Sequence, residues 1–319
     1  MKNLLRKISR KSLAGATALA GFGLGAAALA QVSLSTDVNL PVNSPEWKEH
    51  FAVDYIFERP TVPAVPLQDA VRYEATYSGR AAGFDIGRIK MVADIGSEAY
   101  KIDYRIEQKG VARWFSQTET DSLSVGTLQD GKLTSLFYQK LEKEDDGHQY
   151  VELVRNGSDN RFSLWSDPQY DLYWPVPQSH AAGTVDPIGA QIMMGFTDTP
   201  EGKDPCDRVL KIYDGKRRWD MTISRDGGND LRSRDGYTGP AIRCTIRQKR
   251  VAGFKPEKIA ESMPDGHVYL AAVPEELRTA NFAYVPVRME GDYGIINARL
   301  EAQDIRITGP DGQSYRLGE

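Results

Sequence analysis

The chain has little of what most catalytic and metal sites need. Its 319 residues include 2 cysteines and 4 histidines. His50, His148, His180 and His267 are far apart and lack paired ligand spacing, so they read as surface or loop residues. Two cysteines without a nearby histidine are too few for a zinc site. There is no Gly-x-Ser-x-Gly elbow, no phosphate loop, no zinc-protease pair and no EF-hand spacing. These absences lead to the expectation that the protein is not an enzyme and uses no cofactor and no metal. Triads and carboxylate pairs assembled from distant residues leave no sequence trace, so a hydrolase remains a third reading.

Acidic residues are missing from the first thirty positions, where Lys2, Arg6, Lys7, Arg10 and Lys11 form a basic start. A weakly apolar Ala/Gly/Leu run follows and ends in Ala28-Leu29-Ala30. This layout reads as a secretory signal, residues 1–30, cut before Gln31. The run is glycine-rich for a retained anchor. No cysteine follows the cut for lipidation, and Arg10-Lys11 lacks the second arginine of a twin-arginine signal. The expected location is the periplasm, by the general secretory route.

Removing the signal leaves 35 Lys+Arg against 44 Asp+Glu, a net of about −9. An acidic chain of this kind argues against nucleic acid as a partner. No later apolar run is long enough for a membrane span. In an oxidising compartment Cys206 and Cys244 are expected to form a disulfide, the alternative being two buried thiols.

Prolines 41, 45, 60, 63 and 66 mark residues 31–70 as an extended N-terminal lead. Ser44-Pro45 is the start signal of a short helix that would align Trp47, Phe51 and Tyr55. From residue 71 apolar residues alternate with polar ones, as in Val71, Tyr73, Ala75, Tyr77 and again in Ile102, Tyr104, Ile106. That period predicts strands, near 85–94, 111–119, 131–141, 149–155, 160–166, 208–213, 217–224, 240–252, 283–290 and 294–307. Asp-Gly pairs between them suit hairpin turns, most clearly at Asp214-Gly215. Asp186-Pro187 predicts the cap of a short apolar helix ending near Gly195, and Pro274 opens a second candidate at 274–281. The expected fold is mainly β: a single large, antiparallel, strongly curved sheet (half-barrel) over 71–307, wrapped around the first helix, with a tail at 308–319.

Several polar runs have bland readings. Glu142 to Asp146 reads as a solvated hairpin tip, Asp226 to Asp230 as a long turn, and Arg217-Arg218 as outward charge. The aromatic residues Trp165, Tyr170, Tyr173 and Trp174 are candidates for a cavity mouth, and Ile192 and Met193 for adaptable apolar contacts.

Four stretches together resemble a known family. They are Tyr73-Glu-Ala-Thr-Tyr-Ser-Gly79 with Ala82-Gly83, Val185-Asp-Pro-Ile-Gly189, Cys206 through Tyr213-Asp-Gly-Lys-Arg-Arg-Trp-Asp220 to Cys244, and Val285-Pro-Val-Arg288. The family is a bacterial envelope domain of unknown function, number three-one-zero-eight. It resembles the β half-barrels of periplasmic lipoprotein carriers, which implies an apolar cavity and supplies no catalytic residue. Two further expectations follow. One is a non-enzymatic carrier or binder of a lipid-like or other apolar ligand. The other is an envelope assembly protein with a filled core, whose partner is another envelope protein.

Overall fold

The computed structural model describes residues 41–110, 118–129, 131–157, 161–197, 204–279, 281–293 and 296–318. The expected signal at 1–30 and most of the strand expected at 111–119 lie outside these residues. Elsewhere the period-two segments are strands. In chain order they begin with β1 (Val53–Tyr55), β2 (Val71–Ala81), β3 (Phe84–Ile95), β4 (Ala99–Gln108) and β5 (Glu119–Gln129). Next come β6 (Lys132–Glu144), β7 (Gly147–Asn156), β8 (Arg161–Asp167), β9 (Arg208–Tyr213) and β10 (Arg218–Leu231). The last are β11 (Gly239–Ala252), β12 (Gly266–Ala272), β13 (Tyr284–Tyr293), β14 (Ile296–Thr308) and β15 (Ser314–Arg316). The α-helices among the described residues are α1 (Pro45–His50), α2 (Pro187–Met193) and α3 (Pro256–Ala260).

All these strands join one sheet, in the order β1-β8-β7-β6-β5-β4-β3-β2-β14-β13-β12-β11-β10-β9, with β15 on β14. The sheet is mixed rather than purely antiparallel, because β1 runs parallel to β8. The cause is its origin. β1 comes from the proline-bearing lead through α1, not through a hairpin, so no tight turn reverses it.

The hydrogen-bonded order is open, yet its two ends meet. Phe162 of β8 and Tyr213 of β9 stack edge-on with ring centroids 5.1 Å apart. A Cβ placed on Gly215, in the β9–β10 turn, would sit 3.2 Å from Leu164 and 3.3 Å from Leu153. The sheet therefore bends round until side chains, not a ladder, close the gap. Accumulated strand twist favours such curling in a sheet this large.

Three local expectations change. Among the described residues of 274–281 there is a 3-10 turn, Glu275–Leu277, in place of the expected helix, and Thr279 pairs with Phe282 in a tight bridge. Asp226 to Asp230 lies within β10, where a bulge between Arg225 and Gly228 absorbs Gly227 at φ 98°. Arg218 is covered instead of solvated: it is buried, pairs with Asp220 at 2.7 Å and donates to the His180 carbonyl.

Helix α1 forms as its cap residue dictates. Ser44 Oγ accepts from Trp47 N at 3.1 Å, and Trp47 packs on Phe51 at 4.6 Å. Tyr55 belongs to β1 instead. The disulfide joins Cys206, just before β9, to Cys244 of β11, across β10.

Candidate functional site

The site is positioned by the cap of α2. Asp186 is 2% exposed, and its Oδ1 accepts from Ile188 N and Gly189 N at 2.8 Å each. Its Oδ2 accepts from Ser124 Oγ at 2.6 Å and Ser135 Oγ at 2.5 Å. Burial raises the Asp186 pKa above its ordinary value, and these four hydrogen bonds oppose the rise. Tyr100 lies over the two serines, 3.0 Å from Ser124 Oγ. Gly126 permits this, since a Cβ there would come within 2.7 Å of the Tyr100 ring.

Ser135 reaches Asp186 because of a bulge. Gly126 pairs with Ser135 and Val125 with Phe137, so Leu136 is extra. Ser135 and Tyr138 then share the inner face of β6. Two residues further along the strands, register aligns Tyr104, Ser122, Lys140, Val151 and Ser166 on that same face. The next inward row holds Ile106, Thr120, Glu142 and Gln149. Lys140 and Glu142 pair at 2.9 Å, and both side chains are 12% exposed. Burial depresses the Lys140 pKa, but Tyr170 and Glu142 outweigh it and hold the ammonium charged. The acidic run thus divides: Glu142 turns into the sheet, while Asp145 and Asp146 lie at the β6–β7 turn.

Helix α2 runs beside this face. It contacts β4, β5 and β6 on one side and β9 on the other. It starts at the serines, and by Gln191 it has reached the Tyr104 phenol. Pro187 through Ile192 are all buried.

The aromatic candidates separate. Trp165 pairs with Glu152 on the outer face of the sheet and stacks edge-on with Tyr150 at 5.3 Å. Arg59 from the lead covers both rings and binds Glu152 at 2.7 Å. Tyr170 instead lies at the inner row, close to Lys140 and Glu142, with Lys216 Nζ 4.7 Å from its ring centre. Tyr173 and Trp174 touch at 5.9 Å, with Lys255 Nζ 6.0 Å from the Trp174 ring. Arg217 faces the Phe254 ring at 5.6 Å. The result is a partly buried rim of aromatics and cations around the β9–β10 turn. Burial, then Arg217, depress the Lys216 pKa. Ile192 is part of the core and Met193 is packed against it. Ser122, Lys140, Glu142 and Gln191 are site residues that sequence reading missed. Their alignment depends on long-range register, and only the alternation of β5 and β6 hinted at it. Among the described residues no cluster of three or more His, Cys, Asp or Glu is arranged to hold a metal.

Residues 72–301 match the family described as Protein of unknown function (DUF3108). The chain belongs to that family. The match runs from β2 into β14, so in this DUF3108 chain α1 and β1 precede the matched region and β15 follows it. No curated protein matches the sequence. A β-barrel-like protein of domain of unknown function DUF1849 from Brucella abortus is similar in structure, with TM-score 0.44 and 14% identity, covering 74% of this chain and 98% of that one. A lipoprotein candidate from Parabacteroides distasonis is similar at TM-score 0.31 and 9% identity, covering 75% and 95%.

Proposed function

We propose that this DUF3108 chain is an exported, non-enzymatic protein of the periplasm that binds or carries a lipid-like ligand against the concave side of its sheet. In this reading the curved sheet encloses α2 as a central helix, and ligand lies between them. The observation that carries it is the rim: Tyr170 and Trp174, partly buried beside Lys216 and Lys255, at the edge of a concave face that mixes apolar and buried polar side chains. Aromatic rings with polar handles suit an interface that is dry on one side and wet on the other. The disulfide supports an oxidising compartment.

Mass spectrometry of a solvent extract, from protein purified out of the periplasm without detergent, tests the reading. A stoichiometric amphiphile is expected. An extract that stays empty after gentle purification overturns it.

One observation favours the assembly reading in that event. Phe57 of the lead is 90% exposed, and Val209 of the edge strand β9 is 56% exposed. An exposed edge with apolar side chains can pair with a partner protein. A pull-down from envelope extracts would then show that partner.

A further inference from the structure

The rim around the β9–β10 turn carries positive charge that the fold leaves unneutralised. Other cations close by are paired. Arg218 has Asp220 at 2.7 Å, Lys140 has Glu142 at 2.9 Å, and Lys258 and Arg250 share Glu261 at 2.7 and 3.7 Å. Among the described residues, the side chains of Lys216, Arg217 and Lys255 make no ion pair and no hydrogen bond. Each faces an aromatic ring instead: Tyr170 at 4.7 Å, Phe254 at 5.6 Å and Trp174 at 6.0 Å. A cation over a ring keeps its N–H donors for another partner. Contacts join these residues into one patch. Phe254 and Lys255 are consecutive, and Gly253 packs on the turn so closely that a Cβ there would lie 2.8 Å from Arg217 Cα. Trp174 touches Tyr173, which is 46% exposed, and Ile259 of α3, the helix that begins just after Lys255, is 39% exposed.

The acids nearby are already engaged or few. Asp214 accepts the backbone N–H groups of Lys216 and Arg217 at 2.9 and 2.6 Å, and Asp171 accepts from the Tyr173 hydroxyl. Glu257 in the first turn of α3 is a third. Partial burial and the neighbouring Arg217 both oppose the charge on Lys216, so an arriving anion relieves both. The cations stand over three separate rings, which suits a surface bearing many anionic groups better than one small anion. Exposed Tyr173 and Ile259 add apolar contact of shallow depth, and aromatic rings with polar edges settle at the headgroup level of a bilayer. We propose that this rim docks on the anionic surface of a lipid bilayer, with Lys216, Arg217 and Lys255 on phosphate groups and Tyr173, Trp174 and Ile259 among the headgroups. The net charge of about −9 after signal removal repels such a surface, so the attraction is local to the rim. Docking needs neither a cavity nor a bound ligand and stands apart from the carrier reading.

Flotation of the full mature chain with lipid vesicles tests the proposal. Vesicles of three parts phosphatidylcholine to one part phosphatidylglycerol should bind it about tenfold more tightly than phosphatidylcholine alone. A basic residue at an anionic surface contributes about fivefold, and the acids of the patch take part of that back. Added salt should weaken the binding. Lys216→Gln, Arg217→Gln and Lys255→Gln together should abolish the preference, whereas Lys216→Arg with Lys255→Arg should keep it. The same change at three exposed cations on other strands, Lys90, Lys132 and Arg306, should leave most of it. A second readout leaves the cations in place: brominated phosphatidylglycerol should quench tryptophan emission in wild type and quench it less in Trp174→Phe. Four results overturn the proposal. The first is no preference in wild type, which would turn the rim toward an acidic protein partner. The second is equal loss in both glutamine triples, which would mean net charge alone. The third is quenching unchanged by Trp174→Phe. The fourth is displacement by inorganic phosphate beyond chloride at matched ionic strength, which would mean a small-anion site. An empty native extract with docking intact fails the carrier reading alone.

Discussion

Asp186 concentrates the residue-scale chemistry. It caps α2, ties β5 to β6 through two serines, and carries a carboxylate that burial pushes toward its neutral form. The sign of its pH effect follows. Its folded pKa lies above the unfolded value, so its contribution to stability is full below about pH 4, the usual carboxylate range, and is lost as pH rises through the folded value. Asp186→Asn cannot ionise and keeps an acceptor for the helix N–H groups. Its Tm relative to wild type should therefore improve as pH rises from 4 to neutrality. Thermal melts of both proteins across that range check it, and a constant difference would mean that Asp186 does not titrate differently on folding. The cap itself was readable, since Asp before Pro is a helix start. Its partners were not. Strict alternation predicts that Ser135 shares a face with Phe137, and the bulge at Leu136 breaks that rule.

At the scale of elements, β9 is the exposed end of the sheet, held by few contacts. It pairs along β10, and among the described residues its free edge receives Val185, whose N–H donates to Lys211 O at 2.8 Å while Tyr213 N–H donates back to Val185 O at 2.9 Å. The disulfide pins its start to β11 with a sequence separation of 38 residues. Closing a loop of that size stabilises by about 4 kcal/mol on the chain-entropy account. Cys206→Ser should lower Tm under oxidising conditions and leave it close to wild type with reductant present. Equal melts without reductant would show the bridge to be energetically idle. Element type was the most legible level. Val71 to Tyr77 and Ile102 to Ile106 alternate because one sheet face is dry, and Asp214-Gly215 makes its hairpin turn with Gly215 at φ 92°. Two errors differ in cause. Asp226-Gly227-Gly228 has turn composition but lies in a bulge, and 274–281 has helix-start composition but is bound into a bridge. In the first, pairing with β11 overrides local preference; in the second, a tight local bridge ends the segment before a helix can extend. Dependence on long-range pairing, as in the first, hid the candidate site: Lys140 beside Ser122 is a fact of register, and Trp165, only five residues from Tyr170, faces the opposite side of the sheet.

For the whole molecule, the weak line is where the sheet ends meet. β1 and β8 lie at one end of the hydrogen-bonded order and β9 at the other. Between them the connecting segment bonds both ways: Ala52 N–H donates to Val176 O on one side, and Val185 joins β9 on the other. The main side-chain closure is Phe162 on Tyr213. Segments with few ladder bonds open at lower free energy than a continuous sheet centre. Hydrogen exchange should therefore find amides of β1, β8 and β9 less protected than those of β2, β3 and β14. Phe162→Ala removes the ring at the junction, at a cost of about 3–5 kcal/mol for a buried Phe. It should speed exchange in the junction strands more than in the sheet centre, whereas uniform acceleration would mean the molecule opens only as one unit. In the ligand-binding reading proposed above, the rim gives this opening a use. Tyr170 accepts from the Tyr55 hydroxyl through its carbonyl, and Lys216 extends from the β9–β10 turn, so the rim spans both sides of the junction. If ligand enters there, Phe162→Ala should also accelerate probe uptake and release by similar factors and leave the equilibrium affinity nearly unchanged. Unaltered uptake and release rates would place the entrance elsewhere on the rim.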